Sequence, residues 1–186
     1  IQNNVNSKAC LSTDCINTCI NNVVNVQASN ITNNGVTATW DDVGDATTWQ
    51  VMGRPANAVV GGTWNTVTAK TFTTSTLLNP NTYYRIRIRP ICTGINAPIR
   101  ERVFATNGDY CGGMIFTDSG GLTGSYTNGE DFTRKMIPNA SNQKLVATFT
   151  AFSLEDTYDH LYIYNGSDET YPEFNNGDGF TGINSP

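Results

Sequence analysis

The sequence predicts an all-β protein made of two consecutive β-sandwiches, and three observations lead there. Asn (23) and Thr (26) together make over a quarter of the 186 residues, with 17 Gly and little Lys, so turn formers and β-branched residues outweigh helix formers. Short alternating apolar segments recur between turn signals, and no long helical period interrupts them. Charge divides the chain: residues 21–106 carry seven Lys+Arg and four Asp+Glu, net +3, whereas residues 107–186 carry three and eleven, net −8. That split sets a boundary near Asn107-Gly108, and the length suits two domains of about 80 to 100 residues. The acidic half argues against nucleic acid as a partner.

Residues 1–20 are polar, rich in Asn and Cys and without periodicity, and read as a linker or the end of a preceding module. From Val23 the strand-like segments follow in order: "VVNVQAS", "GVTATW" after Asn34-Gly35, "TWQVMGR" after "DDVGDAT", "KTFTTSTLL", "TYYRIRIRPI" and "IRERVFAT". Six or seven strands in about 85 residues imply a sandwich. In "TYYRIRIRPI" the alternation is unambiguous: Tyr84, Ile86 and Ile88 share one face, and Arg85, Arg87 and Arg89 share the other. After residue 107, Leu145, Ala147 and Phe149 alternate as a core face in "KLVATFTAFSLE", as do Leu161 and Ile163 in "YDHLYIYNG". No stretch of about 20 apolar residues is present, so nothing predicts a membrane span.

Trp40, Trp49, Val51 and above all "LLNPNTYYRIRIR" resemble a fibronectin type III domain, whose Leu-x-Pro-x-Thr-x-Tyr run is matched by Leu78, Pro80, Thr82 and Tyr84. The resemblance covers residues 21–106. Residues 107–186 are similar to a CUB domain in its bacterial secreted form, through "FTDSGGLTGSYTNGEDFTRKMIP", a Phe-x-x-Phe-x-Leu-Glu... type strand end and "YDHLYIYNG". That likeness implies a jelly-roll sandwich whose C-terminal strands are missing after "FTGINSP", and hence a longer parent chain holding a partner for Cys111.

The CUB resemblance also implies a calcium site at one end of the sandwich, with Glu155 and Asp159 as ligands, Tyr126 beside them, and a third acid beyond Pro186. The plainer expectation is that Glu155, Asp156 and Asp159 keep a tight turn solvated and accept backbone N–H bonds. "TDSGG" at 117–121 has the look of a protease nucleophile loop, but the one histidine, His160, follows Ser119, and a glycine-rich turn explains it. Asp41, Asp42 and Asp45 in "DDVGD" read as a surface turn. Arg85, Arg87 and Arg89 form a stripe about 13 Å long that could grip an acidic polysaccharide, pack against the acidic second domain, or be balanced by neighbouring acids. Trp64 in "GGTWNT" is the tryptophan least obviously assigned to a core, either a sugar-stacking or a half-buried edge residue.

Five cysteines, at 10, 15, 19, 92 and 111, lack zinc-site spacing and point to disulfides in an oxidising compartment, with one left over. In secreted bacterial modules of this type a pair like Cys19–Cys92 closes the fibronectin-like domain, which leaves Cys10–Cys15 as a small local loop. Closing about 73 residues contributes some 4 kcal/mol in the chain-entropy model.

These readings converge on a non-catalytic, secreted or cell-surface binding or spacer region of a larger multidomain protein, as the two resemblances imply for gliding bacteria. Its partners would be a protein or polysaccharide ligand and neighbouring domains of the same chain, serving adhesion or recognition. The alternative is an accessory region of a secreted hydrolase whose catalytic domain lies elsewhere. One histidine without a credible nucleophile partner argues against catalysis within these residues.

Overall fold

The computed structural model of the chain describes residues 21–74, 77–92 and 97–186. It is all-β, with two antiparallel sheets and a single short 3-10 turn among the described residues. The chain divides into two compact units. One takes the described residues up to Asn107 together with Phe116–Phe132, and the other takes Gly108–Ile115 and Thr133–Pro186.

The first unit is a β-sandwich. Strands β1 (Asn22–Ser29), β2 (Val36–Val43) and β5 (Thr71–Thr74) form a three-stranded sheet in the order β1-β2-β5. Strands β3 (Trp49–Pro55), β4 (Asn65–Val67), β6 (Tyr83–Pro90) and β7 (Arg100–Ala105) form a four-stranded sheet in the order β4-β3-β6-β7. Five of the seven match the expected segments closely. The expected "KTFTTSTLL" strand is shorter, as β5, and β4 was not foreseen because three residues are too few to show a period. In β1 the register shifts between Val24 and Gln27, where Asn25 takes a φ of 51° and its side-chain amide donates to Asp41. Such a bulge keeps an edge strand from pairing with another chain.

The inward face of each strand builds one core from Val23, Val36, Ala38, Trp40, Trp49, Val51, Tyr84, Ile86, Ile88 and Phe104. Trp40 and Trp49 meet edge to face at 6.1 Å, and Tyr84 stacks on Phe104 at 5.8 Å. These offset geometries suit the ring quadrupoles. Two of these buried rings have their polar atoms paired. The Tyr84 hydroxyl accepts from the Asn79 N–H at 2.9 Å, and the Trp49 indole N–H donates to Asp42 at 2.6 Å. The first bond ties the "LLNPNT" turn to β6, which is what the Leu-x-Pro-x-Thr-x-Tyr spacing makes possible.

The second unit has little regular structure. Asp109 caps the 3-10 turn Tyr110–Gly112 by accepting from the Cys111 and Gly112 N–H groups. The strands expected at 144–155 and 158–166 are not formed; in their place stand two isolated antiparallel bridges, Leu161 with Phe180 and Tyr164 with Glu173. Alternation tells which face a segment would bury, but a ladder also needs a neighbour's N–H and C=O groups. Along 144–152 no strand is formed, and Val146 is 89% exposed.

The core assignment has a direct check. Ile88 is fully buried, so Ile88→Ala is expected to lower stability by about 2–5 kcal/mol. Val146→Ala should stay within about 0.5 kcal/mol. Urea unfolding followed by tryptophan fluorescence, which reports on the first unit's Trp40 and Trp49, measures the first; near-ultraviolet circular dichroism of the second unit's tyrosines measures the second.

Candidate functional site

Because Tyr84, Ile86 and Ile88 anchor one face of β6, Arg85, Arg87 and Arg89 must project from the other. Antiparallel register then decides what each arginine meets. Arg87 lies opposite Glu101 on β7 and Arg89 opposite Gln50 on β3. The Glu101 carboxylate bridges two arginines, accepting from Arg87 Nε at 2.5 Å and from the diagonal Arg85 at 3.0 Å. Burial pushes the Glu101 carboxyl up, but Arg85 and Arg87 together outweigh it and hold the group below its ordinary value. Arg89 donates through Nε to the neutral Gln50 side chain at 2.9 Å, and among the described residues it has no carboxylate partner.

Trp64 joins this face from the loop between β3 and β4. Its half-buried indole sits beneath two guanidinium groups, with Arg89 4.4 Å and Arg87 6.0 Å from the ring centroid. Glycines bring the loop down onto the sheet. Gly61 and Gly62 have φ of 106° and 93°, and a Cβ at Gly62 would lie 2.7 Å from the Met52 sulfur. This cover explains why Met52 is buried although it shares the outer face with Gln50. Trp64 is therefore a half-buried residue, but its partner is the arginine row.

The other end of the row is met by residues 116–132, which belong to the first unit although they follow the expected boundary. The Glu130 side chain is 7% exposed and lies 3.7 Å from Arg85. It also accepts from the hydroxyls of Ser119 at 2.5 Å and Thr127 at 2.6 Å. Thr127 in turn accepts from Arg85 at 3.1 Å. Tyr83 donates its hydroxyl to the Thr117 carbonyl and packs edge to face on Phe132. Asp131 pairs with Arg102 at 3.6 Å. Of the three expectations for the arginines, balance by neighbouring acids describes Arg85 and Arg87, with Glu101 and Glu130 both in the first unit. Arg89 is left over.

The remaining candidates are placed as follows. Glu155 contributes its backbone: its carbonyl accepts from the N–H groups of Tyr158 and Asp159 at 3.2 and 2.9 Å, making a turn. Glu155 and Asp159 lie in the second unit and Tyr126 in the first. No group of three or more His, Cys, Asp or Glu is gathered as a metal site among the described residues. Ser119 sits in a glycine turn whose Asp118 carboxylate accepts from the Gly120 N–H at 2.8 Å. Asp41 and Asp42 are occupied by Asn25 and Trp49. Cys92 is disulfide-bonded and Cys111 is a free, exposed thiol. Cys10, Cys15 and Cys19 lie outside the described residues, and with them the expected Cys10–Cys15 and Cys19–Cys92 pairings. Sequence reasoning passed over Glu101, Gln50 and Glu130. The first two were within reach, because pairing "RERVFA" and "TWQVMG" against "RIRIR" in antiparallel register sets them opposite Arg87 and Arg89.

No family model and no curated protein matches the chain. Solved structures do, over about half of it, and several of them are fibronectin type III domains. A redesigned β-sandwich protein is 26% identical over 46% of this chain and 93% of its own, with a TM-score of 0.42. The FN5 domain of Drosophila Lar is 16% identical over 46% and 95%, TM-score 0.40. The fn3 domain of human collagen alpha-1(XX) chain is 20% identical over 45% and 81%, TM-score 0.39.

The Glu101 bridge has a pH signature. A carboxyl held low when folded binds its proton less readily than in the unfolded chain, so its contribution is present at neutral pH and fades as pH falls through the carboxylate range. Glu101→Gln removes that part. Urea midpoints measured from pH 7 down to about pH 3 should fall less steeply for the variant than for the parent; parallel curves would show that Glu101 is not held this way.

Proposed function

We propose that this chain is a non-catalytic extracellular recognition region whose first unit binds an acid-bearing polymer at a cell surface through the outer face of β3, β6 and β7. One observation carries the reading: Arg89 lies over the half-buried Trp64 indole, and among the described residues its hydrogen bond is to a neutral amide. Three arginines share the row, and Glu101 and Glu130 balance Arg85 and Arg87, so the uncompensated charge is concentrated at the Trp64 end. A planar guanidinium on an aromatic base suits bidentate contact with one carboxylate or sulfate, with the indole edge beside it for a sugar ring or an apolar side chain.

Other features support the non-catalytic and extracellular parts. The Ser119 hydroxyl is buried and committed to Glu130, while His160 belongs to the other unit and stacks on Tyr162. The disulfide at Cys92 suits an oxidising compartment. No helix of the described residues is long and apolar enough to cross a membrane.

Affinity electrophoresis of the full chain through gels containing polygalacturonate, alginate or a sulfated glycan tests the reading. Retardation by at least one polymer is expected, weakening with salt, and falling about tenfold in affinity in Arg89→Ala and in Trp64→Ala. Absence of retardation by all three, or unchanged binding in both variants, overturns it.

A further inference from the structure

The second unit carries a separate arrangement of aromatic rings. Residues 161–166 and 171–180 run antiparallel through the two bridges, Tyr164 with Glu173 and Leu161 with Phe180. Counting outward, the first register sets Tyr171 opposite Gly166, and the second sets Tyr162 opposite Gly179. Side-chain packing agrees. A Cβ on Gly166 would overlap the Tyr171 ring, and one on Gly179 would lie 2.8 Å from the Tyr162 ring. Each ring therefore has one side laid on glycine backbone, a contact that steadies a sheet and fixes the ring. The rings stay 46% and 45% exposed, respectively. Alternation puts Tyr162 and Tyr164 on the side away from Leu161 and Ile163, and His160 extends the row by stacking on Tyr162 at 5.9 Å and 23°.

The surrounding charge narrows the ligand. Residues 145–186 contain seven Asp+Glu (155, 156, 159, 168, 169, 173 and 178) and no Lys or Arg, which repels a polyanion. Three of the acids nearest the rings are already engaged. Asp168 accepts from Ser167 and Thr170, whose bonds hold its carboxyl low. Glu169 accepts from Thr133 at 2.6 Å and Glu173 from the Gly177 N–H at 2.6 Å. Beside these carboxylates, ring faces fixed by glycine are what the surface offers, bordered by the tyrosine hydroxyls as hydrogen-bonding groups.

We infer that the Tyr162 and Tyr171 face is a second binding site, for a neutral polysaccharide whose pyranose rings stack on the tyrosines. This site is independent of the arginine face of the first unit and takes a ligand of different charge.

Native affinity electrophoresis of the full chain with hydroxyethylcellulose, xyloglucan and galactomannan tests it. At least one should retard the protein in a salt-insensitive manner. Tyr162→Ala and Tyr171→Ala should each weaken binding about tenfold, and Tyr162→Phe and Tyr171→Phe less than about twofold, because ring and not hydroxyl carries the contact. Tyr171→Val keeps an apolar cover over Gly166 without a flat ring and should behave as the alanine variant, which separates lost stacking from lost structure. Arg89→Ala should leave this binding intact. The inference fails if none of the three polysaccharides binds, or if the ring-removing variants bind as the parent does. It fails equally if the rings prove to capture only polylysine, with an affinity that falls with salt.

Discussion

Strand β6 can satisfy its interior in only one way, and the rest of the first unit follows from that constraint. Tyr84, Ile86 and Ile88 fill the core between the sheets, so Arg85, Arg87 and Arg89 are committed to the same outer face. Guanidinium groups on alternate residues stand about 7 Å apart, and their mutual repulsion is on the order of 2 kcal/mol per neighbouring pair at a surface-like dielectric. The fold answers with Glu101 placed opposite the middle arginine and Glu130 brought to the first. Glu130 comes from a segment distant in sequence, and its low exposure, with Arg85, Ser119 and Thr127 all directed at it, makes it a fixed part of the unit. The third arginine has an indole and an amide instead of an acid. A row that was structurally forced thus ends in a local excess of positive charge on an aromatic base.

The first unit was largely legible in the sequence because its information is local. Period-two alternation assigned the faces of β6, and the spacing from Leu78 to Tyr84 marked the turn that the Tyr84 hydroxyl ties down. What escaped was long-range. Charge counting sets a boundary near residue 107, but nothing local shows that 116–132 joins the first unit through Tyr83, Arg85 and Arg102. Trp64 was noticed without its partner, because a two-glycine loop can set an indole on a sheet in many ways and sequence does not choose among them.

The second unit shows the opposite case. Its alternating segments announce faces as clearly as β6 does, yet Leu145, Ala147 and Phe149 find no ladder among the described residues. A face is written in one segment, whereas a sheet is written in two. Where partners are present, at 161–166 and 171–180, local rules become useful again: tyrosines opposite glycines give rings with one protected and one open side. In the same region the Glu155 carbonyl and the Asp168 carboxylate accept turn N–H bonds.

Recognition by the outward face of β6 is the claim on which the functional account stands. It is tested most directly by titrating the isotope-labelled full chain with polygalacturonate oligomers while observing backbone amides, arginine Nε–H and indole N–H signals. The account expects the largest shifts at the Arg89 side chain and the Trp64 indole, smaller ones at Arg87, and little change at Trp40 and Trp49 in the core. Shifts confined to the 161–180 region, or none on the arginine row at saturating ligand, would contradict it.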